Sequence, residues 1–384
     1  MVLEGQVAVS TAIQVKPRRR CTPGVFPLVL TAVQDISNLF NPLVLNADRE
    51  ISQRLKTTLG QITSTAHLAA VGLVEVDCDL GAGTAGAGAG IELLRGAVQP
   101  EQDPSARVSA RGWEVGAGTA TPHARHIEAI TQVMADAADL VAVTLQQGLF
   151  AIVLAGDHST AAATIAGIRR AHPSDRLGVI WIDAHADIHS PFTTPSGNMH
   201  GMPLAIAAAH DNLPEAINDP DNITRQLWRQ LQELGGSQGP AIDLADLIYI
   251  AVRDTEPAED ATLASHAIPV VRTEQVRRDG PDAAARRCLD YLAAVDRIYV
   301  SFDVDALDST ICKGTGTPVP GGLWADEAEA ILRCLLDDPR VCCWEICEIN
   351  PHLDTLNTLA EVSLRIFNSG LEQLAERLTA PGGV

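Results

Sequence analysis

From about residue 71 onward, short apolar runs alternate with longer amphipathic stretches. The runs are rich in Val and Ile and are bounded by Gly, Pro or Asp, which is typical of strands covered on both faces. They span 70–77, 150–156, 177–185, 247–253, 268–272, 297–305 and 341–349. Between them, helical patterns occupy 124–147, 159–171, 202–211, 222–234, 281–294, 325–337 and 355–378. This alternation predicts an α/β fold with a parallel sheet and right-handed crossovers.

The first 70 residues have a different character. They are mixed in composition, contain one plausible helix near 48–63 and carry no chemical motif. We therefore treat 1–70 as an N-terminal extension of unknown role and 71–384 as the unit that carries the chemistry.

Composition excludes several classes of protein. Hydrophobic residues make up 46% of the chain, but no apolar run approaches the ~20 residues of a membrane-spanning helix. The net charge of −20 argues against a nucleic-acid partner, because phosphate backbones require clustered Lys and Arg. The chain has 8 cysteines and no CxxC pair, which predicts reduced thiols and a cytoplasmic location.

A glycine-rich segment, 79–90, permits two interpretations. Gly81, Gly83 and Gly86 form GxGxxG between a predicted strand and a predicted helix, the context of a dinucleotide-binding loop. However, the acidic residue expected ~20 positions later is Glu101 or Asp103, in a polar stretch that contains proline. A flexible loop at the rim of an active site is the favoured interpretation.

The strongest chemical signals are three acidic clusters at the ends of predicted strands. They are AGDHST at 155–160, WIDAHADIH at 181–189 and SFDVDALD at 301–308. The chain is expected to stay extended here, so that side-chain alternation directs Asp183, His185 and Asp187 to one side. Asp303 and Asp305 are expected to do the same on another strand. Ligands of open α/β sheets bind at this edge.

Four clustered carboxylates would repel one another unless cations neutralised them. A set rich in oxygen, with two imidazoles and no thiolate, favours Mn²⁺ or a similar metal over structural zinc. Two such ions lower the pKa of a shared water molecule and make it a nucleophile. The clusters therefore predict a binuclear metal site.

These motifs resemble those of the ureohydrolases, the family of arginases and agmatinases. The family pattern GGDHS, DAHxD and SxDxDxxDP corresponds here to AGDHS, DAHAD and SFDVDALDS. The resemblance runs from about residue 71 to about 375. It implies a three-layer α/β/α sandwich around a parallel sheet of about eight strands, and a homotrimer or homohexamer.

The resemblance also implies two Mn²⁺ ions per subunit, with Ni²⁺ as the alternative metal. One ion would be held by His158, Asp183, Asp187 and Asp303. The other would be held by Asp183, His185, Asp303 and Asp305. Asp183 and Asp303 would then bridge the two ions.

Further segments are similar to the arginase branch of the family. In the loop TTPSGNMHGMP (193–203), the resemblance assigns contact with the substrate carboxylate to Ser196, substrate binding to Asn198 and proton transfer to His200. In EICEINP (345–351) it assigns guanidinium binding to Glu348, with Thr317 of GTGTPV nearby. It thus implies catalytic roles for His200 and Glu348, and for the ligand Asp187.

Two positions depart from the arginase pattern at the end that reads the amino acid. His189 replaces the usual Asn, and AVRDTEPAE (251–259) replaces GLRDxDxxE, so that Glu256 stands where an Asp contacts the α-amino group. Glu259 falls on the second acidic position. The resemblance implies that His189, Glu256 and Glu259 bind the substrate, although the side chains of His189 and Glu256 differ in length from those of the arginase pattern.

The resulting prediction is a hydrolase that releases urea and an amine from a guanidino compound, with L-arginine as the first choice. Agmatine, a guanidino acid or guanidine is the alternative substrate. A metal-binding pseudoenzyme or regulatory subunit is the alternative of another class.

Overall fold

The computed structural model describes residues 28–30, 71–96, 98–100, 106–110, 121–236 and 239–379. The predicted helix at 48–63 lies outside these residues. Of the proposed extension 1–70, only the backbone of Leu28–Leu30 is described, as a strand paired antiparallel with Val98–Pro100.

The described residues form one eight-stranded parallel sheet and this separate two-stranded ribbon. All seven apolar runs that predicted strands lie in the large sheet, and it gains the edge strand β4, which the sequence pattern did not predict. The strands are β1 (Leu28–Leu30), β2 (Val71–Asp77), β3 (Val98–Pro100), β4 (Ala106–Ser109), β5 (Phe150–Ala155), β6 (Leu177–Ile182), β7 (Leu247–Ile250), β8 (Val270–Val271), β9 (Arg297–Asp303) and β10 (Val341–Cys347).

Helices connect these strands, as the alternating pattern predicts. Each predicted helical stretch contains a helix, although the stretch 202–211 yields only one short turn of five residues. Helix α1 is the one expected after the glycine-rich segment, without bounds, whereas α6 and α7 were not predicted. The helices are α1 (Gly88–Arg95), α2 (Ile127–Gln146), α3 (Ala161–Ala171), α4 (Pro203–Ala207), α5 (Asn222–Gln232), α6 (Pro257–Ser265), α7 (Thr273–Asp279), α8 (Pro281–Tyr291), α9 (Ala325–Leu336) and α10 (Thr358–Thr379).

Two hydrophobic cores lie on opposite faces of the sheet. Neighbouring strand residues alternate between them: Ile152 and Ile180 pack with α1 and α7–α10, whereas Val153 and Trp181 pack with α2–α5. Each fully buried aliphatic side chain contributes roughly 1.5–3 kcal/mol to this packing. The predicted three-layer α/β/α sandwich with eight parallel strands is confirmed.

The strand order is β4-β2-β5-β10-β9-β6-β7-β8. The middle strands β5, β10, β9 and β6 are therefore neighbours, although they come from distant parts of the chain. Because all of them are parallel, their carboxyl ends meet at one edge of the sheet, where the acidic motifs follow. Within the described residues, no helix is long and apolar enough to cross a membrane.

Candidate active site

His158 follows β5 in a short helical turn and is completely buried. Its ring stacks on Trp181, with centroids 4.0 Å apart. Its Nε2 lies 2.7 Å from Ser301 Oγ. These contacts fix the ring and direct Nδ1 toward carboxylate oxygens of Asp183, Asp187 and Asp303 at 3.1, 3.0 and 3.2 Å.

The motif after β6 reaches the site by turning, and the prediction that it stays extended is wrong. The strand ends at Ile182. The next residue, Asp183, still donates its N–H to the carbonyl of Ile250 in the neighbouring strand β7. Asp187 then adopts a left-handed backbone with φ 49°, a conformation that costs a non-glycine residue roughly 1–2 kcal/mol. The turn brings Asp183 and Asp187 to the same imidazole.

A second group of ligand atoms forms around His185. Its Nδ1 lies 3.0 Å from Asp305 Oδ2 and 3.5 Å from Asp183 Oδ1. Asp305 follows β9 in a helical turn, and its own N–H donates to Asp303 Oδ1 at 2.8 Å. Thr317 donates its hydroxyl to Asp305 Oδ2 at 3.0 Å. Asp183 is thus shared by both groups, whereas Asp303 falls in the group around His158.

The donor set fits divalent cations. His158 Nδ1 is buried and has no hydrogen-bond partner among the described residues, although three carboxylates surround it. A buried nitrogen in this state is suited to a metal ion. Burial and the charge of Asp183 raise the pKa of Asp187 to about 7. Burial and neighbouring carboxylates also raise the pKa values of Asp303 and Asp305. This repulsion is what cations at the site would relieve.

Cys347 also lies beside the cluster. It is buried, and its ligand atom falls in a group with those of His158 and Asp303. Burial raises the pKa of its thiol well above the ordinary value. Because the thiolate is the metal-binding form, Cys347 remains a packing residue in our interpretation.

His200 and Glu348 form a hydrogen-bonded pair next to the ligands. Glu348 directly follows β10 and adopts φ 63°, and its Oε1 lies 3.1 Å from His200 Nδ1. The same oxygen accepts from the His158 N–H at 3.0 Å. Burial lowers the pKa of His200, but the hydrogen bond and charge of Glu348 outweigh it and raise that pKa to about 9. The pair can therefore hold a proton at the site.

The glycine-rich loop lies at this rim, and hydrogen bonds fix it in place. Asp157 accepts from the N–H groups of Gly81 at 2.6 Å and Ala82 at 3.2 Å, while Gly86 donates to Asp79 at 2.6 Å. The Gly81 carbonyl in turn accepts from the His200 N–H at 3.1 Å. Because carboxylates of the chain occupy these amides, they are not presented to a dinucleotide phosphate.

The loop 193–203 carries the remaining predicted contacts. Ser196 is exposed, and its hydroxyl oxygen accepts from the Asn198 N–H at 3.1 Å. Asn198 accepts from the Arg125 guanidinium at 3.0 Å through its amide oxygen. His200, two residues later, reaches the ligand cluster. The loop therefore extends from the cluster to the solvent.

His189, Glu256 and Glu259 also meet, next to the ligands. His189 Nε2 lies 2.5 Å from Glu256 Oε2 and 3.7 Å from Glu259 Oε2. Glu259 accepts from the Glu256 N–H at 3.1 Å, which caps α6. His189 and Glu256 line a cavity of about 260 Å³ with Pro195 and other residues. The two departures from the arginase pattern thus pair with each other.

Supporting residues complete the site, and sequence reasoning did not assign them roles. Trp181 donates its Nε1–H to Asp183 Oδ2 at 2.9 Å. Arg253 donates to the carbonyl of Asp305 at 2.8 Å and fixes the loop after β9. All three of Trp181, Arg253 and Ser301 lie within the sequence motifs of the site, so their position in the sequence could have identified them. Arg125 lies outside every motif and gave none.

The chain is similar to known proteins in sequence and in fold. The family model described as Arginase family matches residues 69–370. The chain is 34% identical to the arginase of Emericella nidulans over 216 residues, which covers 55% of this chain and 62% of that protein. It is 32% identical to the arginase of Bacillus caldovelox over 246 residues, covering 64% and 76%. The arginase structure from Bacillus cereus superposes with a TM-score of 0.64 at 26% identity, covering 78% of this chain and 97% of that one. The chain belongs to the arginase family.

Proposed function

We propose that the protein hydrolyses a guanidinium group to urea and an amine, and that L-arginine, yielding L-ornithine, is the substrate. The observation that carries the proposal is the juxtaposition of the carboxylate-imidazole cluster with the His200–Glu348 pair, whose atoms lie 3.1 Å apart. One half suits divalent cations, and the other suits proton transfer. Membership of a family of guanidino hydrolases supports the same reaction.

The residues that would hold two Mn²⁺ ions are His158, His185, Asp183, Asp187, Asp303 and Asp305, and Ni²⁺ is the alternative metal. When bound, such ions supply a nucleophile by lowering the pKa of a water molecule.

Side chains of this chain perform the other tasks. Glu348 is buried and carries a carboxylate that can accept two hydrogen bonds from a planar guanidinium. His200 holds a proton near the same point and passes it to the leaving nitrogen as the C–N bond breaks. Asp305, whose carboxylate accepts from the Thr317 hydroxyl at 3.0 Å, would stabilise the tetrahedral intermediate. Water is consumed, and the amine leaves with the proton.

A different guanidino substrate is the second candidate, and the His189–Glu256 contact is the observation that favours it. At 2.5 Å, each group already satisfies the other. An α-ammonium group would have to compete with His189 for Glu256. A substrate without that group, such as agmatine, a guanidino acid or guanidine, would not.

Urea release by purified protein tests the proposal. The protein is loaded separately with Mn²⁺ or Ni²⁺ and offered arginine, agmatine, guanidinobutyrate, guanidinopropionate and guanidine. Selective turnover of arginine supports the first candidate, and turnover of another compound supports the second. Absence of urea release from every substrate, with either metal bound, would contradict hydrolysis and favour a pseudoenzyme.

We also propose that the protein acts in the cytoplasm as a homotrimer or homohexamer. The seven cysteines within the described residues are free thiols, which supports a reducing compartment. Mass measurement in solution tests the assembly.

A further inference from the structure

A segment outside all the motifs, residues 121–126, packs against the loop 193–203. The Arg125 N–H donates to the Gly197 carbonyl at 2.8 Å. Gly197 has φ 76°, and a Cβ there would lie 1.9 Å from the Pro122 carbonyl oxygen. The two backbones therefore touch where only glycine fits. This close contact fixes the position of Arg125 relative to the loop.

The Arg125 side chain determines which way the Asn198 amide faces. Its Nη1 donates to Asn198 Oδ1 at 3.0 Å, and a guanidinium can only donate. The amide oxygen must therefore face Arg125, and the NH₂ group faces away. Asn198 Nδ2 points to the glycine-rich loop, 2.9 Å from where a Cβ on Gly83 would lie. A hydrogen-bond donor is thus held at the rim of the site.

Carboxylates gather around His189, which opens onto a cavity. Glu256 is exposed beside this imidazole, and Glu259 lies buried 3.7 Å from it. These carboxylates would repel an anionic group on an entering substrate. Arg125 is exposed, and within the described residues no carboxylate pairs with it.

We propose that Arg125 is a specificity residue that, together with Asn198, binds a carboxylate at the end of the substrate remote from its guanidinium. The proposal rests on the guanidino hydrolysis proposed above. The resemblance assigned the substrate carboxylate to Ser196 and substrate binding to Asn198, but it gave Arg125 no role. Arg125 acts in two ways: it orients the Asn198 amide, and it supplies the positive charge that a carboxylate requires. The substrate class is therefore a guanidino compound that carries an acid group.

Steady-state kinetics of the metal-loaded Arg125→Gln variant test this role. Product inhibitors separate carboxylate recognition from the chemistry, since ornithine carries the carboxylate and putrescine lacks it. We expect the KM for arginine and the Ki for ornithine to rise about 10- to 100-fold, as for loss of a charge-assisted hydrogen bond. The kcat and the Ki for putrescine should stay within about 2-fold, because Arg125 touches neither the ligand cluster nor the His200–Glu348 pair.

Two further variants serve as controls. Arg125→Lys keeps the charge but loses the planar fork, and we expect an intermediate loss. Arg278→Gln removes an exposed arginine that pairs with Asp279 elsewhere on the surface, and it should leave every constant unchanged.

Three outcomes would overturn the proposal. They are unchanged KM and Ki in Arg125→Gln, equal rises for ornithine and putrescine, or a fall in kcat alone. Failure of the guanidino hydrolysis itself would be recognised separately, because the unmodified protein would then release no urea. In that case, calorimetric titration with ornithine and putrescine compares the affinities of the metal-loaded unmodified protein and Arg125→Gln without turnover.

Discussion

Replacing Glu348 with glutamine removes one negative charge from the centre of the site and leaves the side-chain size unchanged. At present, Glu348 Oε1 lies 3.0 Å from the His158 amide nitrogen and 3.1 Å from His200 Nδ1. Glutamine keeps an oxygen for the amide. Its neutral group no longer favours the cationic form of His200.

The magnitude follows from the pKa of His200. Burial lowers that pKa, yet Glu348, with smaller contributions from Asp187 and Asp157, raises it from 6.5 to about 9, which corresponds to about 3 kcal/mol in favour of the imidazolium. Without Glu348, burial opposes the charges of Asp187 and Asp157, and the pKa should fall toward 6.5. His200 would then be neutral at pH 8 and unable to protonate the leaving nitrogen. We expect kcat to fall at least 10-fold there, and its alkaline limb to move to lower pH.

The guanidinium itself also loses its partner. Loss of a charge-assisted hydrogen bond costs about 1.5–3 kcal/mol, so kcat/KM should fall about 100-fold or more in total. Initial rates of urea release between pH 5.5 and 9.5 measure both effects. Bound cations lower the pKa of His200 in either protein, so the comparison requires equal metal content.

Glu376→Gln is the matched control, since Glu376 is exposed and pairs with Arg333 at 3.3 Å on the surface. It should behave as the unmodified protein. Superimposable pH profiles and a kcat/KM within about 3-fold for Glu348→Gln would refute the reasoning.

Three other predictions concern metal binding and packing. Metal removal should destabilise the protein more at pH 8 than at pH 5: the pKa of Asp187 is raised from 3.8 to about 7, so the stability that its protonation gives the metal-free fold is lost as pH rises toward 7. A difference in Tm between Mn²⁺-loaded and chelator-treated protein that is independent of pH would contradict this. Trp181→Phe keeps an aromatic ring against His158 but loses the 2.9 Å hydrogen bond to Asp183. Calorimetry should therefore show about 10-fold weaker Mn²⁺ binding. Unchanged affinity would argue against a supporting role for Trp181. Gly197→Ala should lower the free energy of unfolding in urea by more than about 2 kcal/mol. Gly148 has φ 75° but nothing within 4 Å of an added Cβ, so Gly148→Ala should lower it by only about 1 kcal/mol. Equal losses would exclude the close contact at Gly197.

The sequence pattern located the strands well because their residues are apolar on both faces. It placed their carboxyl ends too late, extending β6 to 185 and β9 to 305, where the structure ends them at Ile182 and Asp303. The polar ligands follow the last buried residue, and the chain turns there. Simple alternation cannot show such a turn, and the left-handed backbone of Asp187 is invisible in a pattern of polar and apolar positions.

The meeting of Asp and His side chains at one edge of the sheet could be predicted because these residues recur at short spacing after three strands. The rim could not. Arg125 comes from the segment before α2 and meets Asn198 only through tertiary packing. The pairing of His189 with Glu256 joins residues 67 positions apart, so the sequence showed two substitutions but not that they satisfy each other.

The order of strands in the sheet has a consequence for biosynthesis. The last strand in the chain, β10, lies between β5 and β9 at the centre of the sheet. A nascent chain that has emerged only as far as β9 therefore lacks the strand that joins β4, β2 and β5 to β9, β6, β7 and β8. It also lacks Glu348. His158 and Asp183 are brought together only after residues 341–347 leave the ribosome and insert. Any metal that these side chains bind would therefore be loaded after completion of the chain, and a product truncated before β10 would present exposed strand edges to the quality-control machinery of the cell.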